Sequence, residues 1–72
     1  MDFIDFFSGI GGIRLGLEMA GHRCLGFSEY DKFARGTYKA MFNTEGGWEN
    51  HDIRTANSAD IPRADLWCFG FP

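Results

Sequence analysis

Phe3-Ile4-Asp5-Phe6-Phe7, followed at once by Ser8-Gly9-Ile10-Gly11-Gly12, is the stretch that decides the fold. A short, β-prone apolar run that breaks into glycines reads as a buried strand feeding a tight turn. From Gly12 the period changes. Ile13, Leu17 and Ala20 recur at helical spacing, Arg14 and Glu18 stand as an i,i+4 pair, and Gly21 suits a C-terminal cap. The turn therefore opens a helix of about two turns.

Working outward, Arg23 to Ser28 reads as a second strand, ending at Glu29 and Asp31 on either side of Tyr30. Residues 31–42 return to helical spacing, with Phe33, Thr37, Ala40 and Met41 on one side and Asn43 as the stop. Residues 43–50 are rich in turn formers, with Trp48 the only large apolar side chain, and read as a surface connection. Ala64 to Phe69 forms the last strand, entered after Pro62 and ending in Gly70-Phe71-Pro72. Strands alternating with helices predict the α/β class, with right-handed crossovers and a parallel sheet flanked by helices. A short third strand is expected near Asp52-Ile53.

The bulk composition bounds the remainder. Seventy-two residues make one domain, and 44% hydrophobic residues with eight Phe suffice for a core. A net charge of −3 leaves no electrostatic footprint for a polyanion, so contacts to nucleic acid are not expected from these residues. Cys24 and Cys68 stand far apart with no CxxC pair, which argues against a zinc site and a disulfide framework. Each lies inside a strand without an activating base and reads as a small buried hydrophobe. His22 and His51 read as surface residues, and Trp48 and Trp67 as packing. No basic leader precedes an apolar run and no apolar stretch approaches membrane length, so a reduced cytoplasmic setting is expected.

In a parallel sheet, ligands bind beyond the carboxyl ends of the strands. Phe7 to Gly12, Glu29 to Asp31, and Gly70 to Pro72 all follow a strand. A dinucleotide fingerprint needs a third glycine where Arg14 stands, so that reading fails. Glu29 nevertheless lies about 20 positions past the glycine loop, where a carboxylate accepts bonds from a ribose diol. A nucleoside without a pyrophosphate fits. Plainer readings stand beside this one: glycines serve turns, an acid at a strand end is often solvated, Phe7 and Tyr30 suit a core as well as an adenine face, and Asp52 suits a cap as well as an adenine amine.

The residues then resemble a family. Asp5-Phe6-Phe7-Ser8-Gly9-Ile10-Gly11-Gly12-Ile13-Arg14-Leu15-Gly16-Leu17-Glu18 resembles the opening motif of DNA cytosine-5 methyltransferases. Phe27-Ser28-Glu29-Tyr30-Asp31 resembles its second motif, His51-Asp52-Ile53 its third, and Asp65 to Pro72 the approach to its catalytic motif. Tyr30 stands where the family often has tryptophan, and His51 where it often has glycine.

The resemblance implies a partial Rossmann-like, S-adenosylmethionine-dependent methyltransferase fold, with residues 1–72 forming the N-terminal portion of the catalytic domain. It places Phe7 and Tyr30 at the adenine, Glu29 on the ribose hydroxyls and Asp52 on the adenine amine. Gly9, Ile10 and Gly12 line the methionine end, and Ile53, Gly70 and Pro72 serve as backbone or wall contacts. The family's nucleophilic cysteine directly follows the Gly-Phe-Pro motif; its thiolate attacks carbon 6 of a cytosine rotated out of the duplex, and carbon 5 takes the methyl group. The implied expectation is that these 72 residues alone are inert, and that double-stranded DNA is held by parts beyond them. A stand-alone nucleoside-binding or interaction module is the alternative from a different class, and a nucleotide-dependent oxidoreductase is disfavoured by Arg14.

Overall fold

The computed structural model describes residues 1–70. Strand β1 (Asp2–Phe6) leads through the glycine loop into helix α1 (Gly12–Met19). Strand β2 (Arg23–Ser28), helix α2 (Lys32–Met41), strand β3 (Trp48–Asn50), a 3-10 turn (Ile53–Thr55) and strand β4 (Leu66–Phe69) follow. All paired strands are parallel, in the order β3-β2-β1-β4. The expected α/β class and parallel sheet are thus found.

The strand order fixes which face each connection crosses. From β1 to β3 the chain moves one way across the sheet, and from β3 to β4 it moves back. Right-handed crossovers therefore put α1 and α2 on one face and the β3–β4 connection on the other. Strand alternation divides the core to match. Phe3 and Asp5 of β1 face the helices, where Phe27 of β2 stacks on Tyr38 of α2 with ring centroids 4.2 Å apart. Ile4 and Phe6 face the other way, and the Phe6 ring meets Trp67 and Phe69, each at 5.0 Å, and the edge of Trp48 at 6.0 Å.

Two sequence expectations are corrected. The segment read as a surface connection contains β3, three residues before the expected place, and Asp52-Ile53 begins the 3-10 turn instead. Three residues are too few for an alternation signal; β3 exists because Gly26 lets the Trp48 backbone come close, a Cβ there standing 2.5 Å from the Trp48 carbonyl oxygen. In α2 the inward row is Ala34, Tyr38 and Phe42, not Phe33, Thr37, Ala40 and Met41, which are all exposed, Phe33 at 78% and Met41 at 56%. The two i,i+4 rows are neighbours on the helix, and a polar need chooses between them. Asp31 caps the helix by accepting from the Phe33 and Ala34 N–H groups, and Tyr38 then turns inward to buried partners.

Those partners form a chain of polar groups under the helices. The Tyr38 hydroxyl donates to Asp5 Oδ2 at 3.2 Å and accepts from Arg14 Nη1 at 3.2 Å. Arg14 also donates to Glu18 and to the Asn43 carbonyl, each at 3.2 Å, and lies over the Phe42 ring at 4.7 Å. The expected Arg14–Glu18 pair is present, yet Arg14 is 5% exposed and is the one buried residue of α1. Flanking apolar residues Ile13 and Leu15 are exposed instead.

Burial pushes the Asp5 carboxyl up to about 6, against the lowering by the Tyr38 hydrogen bond and the Arg14 charge. A carboxyl raised in the fold stabilises it below its ordinary value near 3.8, and that stabilisation is lost as pH rises through 6. Asp5→Asn, neutral at every pH, is therefore expected to favour the fold by about 3 kcal/mol more at pH 8 than at pH 3. Denaturant unfolding at both pH values measures this, and equal changes at the two would refute the assignment.

Candidate nucleoside-binding site

The reversal of chain direction lies between β1 and β4, and an α/β sheet opens its ligand crevice at the carboxyl ends of the strands on either side of such a point. Phe7 leaves β1 in the left-handed region with φ 52°, and Gly9 and Gly11 follow at 56° and 98°. Three such residues within five curl the chain into a compact loop, closed by the Gly11 N–H donating to the Ser8 carbonyl at 2.9 Å. Gly11 caps α1 without a side-chain acceptor, so among the described residues the first N–H groups of the helix have no side-chain cap. A Cβ on Gly11 would run into the Phe42 ring, and one on Gly70 into the Phe7 carbonyl oxygen.

Glu29 joins this loop to the next strand end. Its Oε1 accepts from the Gly9 N–H at 2.6 Å and its Oε2 from the Asp31 N–H at 2.9 Å. Arg35 donates to the Glu29 and Tyr30 carbonyls at 3.0 and 2.7 Å, fixing the backbone on which the acid sits. On the far side, the Glu29 N–H donates to the Asn50 carbonyl at 3.1 Å, and Ser28 Oγ donates to Asn50 Oδ1 at 2.9 Å. The β2 and β3 ends are thereby tied together.

Beside Glu29 lies a cavity of about 230 Å³, walled by Phe7, Ser28, Tyr30 and the run His51-Asp52-Ile53-Arg54. That is smaller than the roughly 300–1,000 Å³ of a complete small-molecule pocket and suits a single ring system. Asp52 accepts from the Arg54 N–H at 3.0 Å, so the capping role read as one option is present. Its carboxylate also takes the Arg54 side chain, Nη2 to Oδ2 at 2.7 Å and Nε to Oδ1 at 3.0 Å. These bonds hold the Asp52 carboxyl below its usual range.

Of the residues expected at the site, Phe7, Tyr30, Asp52 and Ile53 meet in this cavity. Gly9 and Glu29 are bonded to each other and are not among its wall residues. Ile10 is 62% exposed on the loop and Gly12 opens α1, both outside the cavity wall. Gly70 follows β4 with its N–H on the Phe6 carbonyl at 2.9 Å. Pro72 lies outside the described residues. Sequence reasoning passed over Gly11, Ser28 and Arg54. Gly11 carried a signal, as the last glycine before the helical period begins; Arg54 carried only a charge two residues past an acid. A second hollow, of about 310 Å³, lies along Arg23 to Phe27 of β2, Arg14 and residues 43–48, away from the carboxyl ends of the strands.

Parallel strands, a glycine loop opening a helix, and an acid that ties the loop to the second strand end together form the carboxyl edge of an α/β sheet, the edge at which such sheets bind ligands. The family model for C-5 cytosine-specific DNA methylase matches residues 1–72. The chain belongs to that family. It is 46% identical over 72 residues to the type II methyltransferase M.BsuFI of Bacillus subtilis, covering 100% of this chain and 17% of the relative. M.HhaI of Haemophilus parahaemolyticus is 43% identical over 70 residues (97% and 20%), and M.NlaX of Neisseria lactamica 49% over 71 residues (96% and 22%). The chain thus spans about a fifth of the length of these relatives. Among the described residues, no helix is long and apolar enough to cross a membrane.

The loop geometry makes its own demand. Gly11→Ala combines a left-handed φ with a collision against Phe42, and is expected to destabilise the protein by about 2–4 kcal/mol. Adding Phe42→Ala should return the collision part and leave the backbone part, a coupling that a double-mutant cycle reads directly. Strict additivity would show that the ring does not press on this loop.

Proposed function

We propose that this chain forms the S-adenosylmethionine pocket of a longer DNA cytosine-5 methyltransferase, an enzyme that moves a methyl group to carbon 5 of cytosine in double-stranded DNA. The observation that carries the reading is the Glu29 carboxylate, pinned by the Gly9 and Asp31 N–H groups, in the chain between Ser28 and Tyr30, which wall a cavity together with Phe7 and Asp52. Membership of the methylase family supplies the chemistry that such a pocket serves.

In this reading each residue has a task its surroundings suit. Phe7 and Tyr30 offer ring faces to the adenine, and Asp52 accepts from its amine. Glu29 is an acceptor-only carboxylate with each oxygen already oriented by one N–H, and the remaining lone pairs face a ribose diol with no further reorganisation. Gly9, Ile10 and Gly12 border the methionine end, where uncapped helix N–H groups suit its carboxylate. Ile53 and Gly70 serve as walls, and Pro72 is assigned as a further contact on the resemblance alone. S-adenosylmethionine brings a methyl group activated on a sulfonium.

The nucleophile belongs elsewhere. Burial pushes the Cys24 and Cys68 thiols up, and a raised thiol carries little of the thiolate that attacks a pyrimidine ring. Contacts to the DNA likewise lie outside these residues, whose net charge of −3 repels phosphates.

In the full-length protein, Glu29→Ala is expected to weaken S-adenosylmethionine binding by roughly 1.5–3 kcal/mol, the range of a charge-assisted hydrogen bond. Isothermal calorimetry gives the dissociation constant, and a parallel denaturant titration separates lost ligand contact from a loosened loop. Unchanged affinity would sink the ribose assignment.

A further inference from the structure

The Asp52 carboxylate, the acceptor wall of the cavity, is covered by a cation of the chain itself. Arg54 reaches it with Nη2 at 2.7 Å from Oδ2 and with Nε at 3.0 and 3.2 Å from the two oxygens. Both residues line the cavity that Phe7 and Tyr30 wall, so the pair sits in the pocket. The arginine side chain is 77% exposed and the aspartate 24%, an asymmetry that leaves the guanidinium free to swing into solvent while the carboxylate stays in the wall. Leaving does not undo the turn, because the Arg54 backbone N–H caps Asp52 Oδ1 independently of the side chain.

Resting on the cofactor reading above, we propose that Arg54 determines base specificity: its guanidinium competes with a purine's exocyclic amine for Asp52, and itself offers donors to a 6-oxo purine. An ionised carboxylate only accepts and a guanidinium only donates, so the pair presents opposite hydrogen-bonding faces within one cavity wall. A 6-amino purine needs the acceptor and must displace or share the guanidinium. A 6-oxo purine is met by the guanidinium where it rests. Arg54 therefore blunts the preference that Asp52 alone would impose. Because an exposed ion pair contributes little, the competition is weak enough for the 6-amino ligand to win.

The test uses the full-length protein, with S-adenosylhomocysteine and its 6-oxo counterpart S-inosylhomocysteine as probes, both without the sulfonium charge. Removing the competitor in Arg54→Ala is expected to tighten S-adenosylhomocysteine by about two- to fivefold, since a bare carboxylate makes the stronger bond to an amine. The same change should weaken S-inosylhomocysteine, so the ratio of the two dissociation constants widens. Raising salt from low to about 0.5 M should shrink the difference between wild type and Arg54→Ala for the 6-amino probe, because screening weakens the competing pair. Arg54→Gln, which keeps an amide donor on a shorter side chain without charge, should fall between them. A ratio that stays fixed, or S-adenosylhomocysteine binding that weakens in Arg54→Ala, overturns the inference while leaving the cofactor assignment standing. Failure of the wild-type protein to bind S-adenosylhomocysteine overturns both.

Discussion

Arg14 is the point at which both helices are joined to the central strand. Its guanidinium lies over the rings of both Tyr38 and Phe42, donates to the Tyr38 hydroxyl, and through that hydroxyl reaches Asp5 in β1. A buried cation without partners is prohibitively unfavourable, so each of these contacts is required by the others. Tyr38 must turn inward to receive Arg14, which decides the face of α2. Phe42 must stay under α1 to cover the guanidinium, and that brings its ring against Gly11. The glycine loop is thus pressed from beneath by the same network that anchors the helices.

The site inherits its order from this foundation. With α1 held, the loop that precedes it can only close upward, and its Gly9 N–H meets Glu29. With α2 held, Arg35 reaches back to the carbonyls of Glu29 and Tyr30, and Asp31 caps the helix. Glu29 is thereby positioned from three directions before any ligand arrives. Preorganised acceptors of this kind bind without the entropic cost of ordering a mobile side chain.

The sequence disclosed these features unevenly, for physical reasons. Period changes at Gly12 and after Ser28 marked two strands and two helices, because hydrophobic alternation and helical spacing extend over enough residues to be read. β3 stayed hidden because three residues carry no period, and because the pairing depends on the absence of a side chain at Gly26, a long-range fact. Arg14 looked like half of a surface ion pair, and it is one; nothing in the spacing to Glu18 disclosed that Tyr38 and Asp5 would draw it inside. At the candidate site, strand-end placement was enough to gather Phe7, Tyr30 and Asp52. That Arg54 covers Asp52 was not legible, since a bidentate pair two residues apart needs the extended backbone of Asp52, at φ −133°, ahead of a 3-10 turn.

One strained residue links the carboxyl ends of β1 and β4. Phe7 holds a left-handed backbone that a non-glycine residue adopts at roughly 1–2 kcal/mol. An extended Phe7 would carry β1 onward beside β4. The left-handed turn ends the strand, keeps the ring in the cavity wall, and directs the Phe7 carbonyl against Gly70, where no side chain fits. Gly70 in turn accepts that approach while its N–H stays on the Phe6 carbonyl, the last bond of the β1–β4 pairing. The strain at residue 7 and the glycine at residue 70 are therefore one feature, by which β1 and β4 stop together while the Phe7 ring stays in the cavity wall with Ser28, Tyr30 and the 51–54 run.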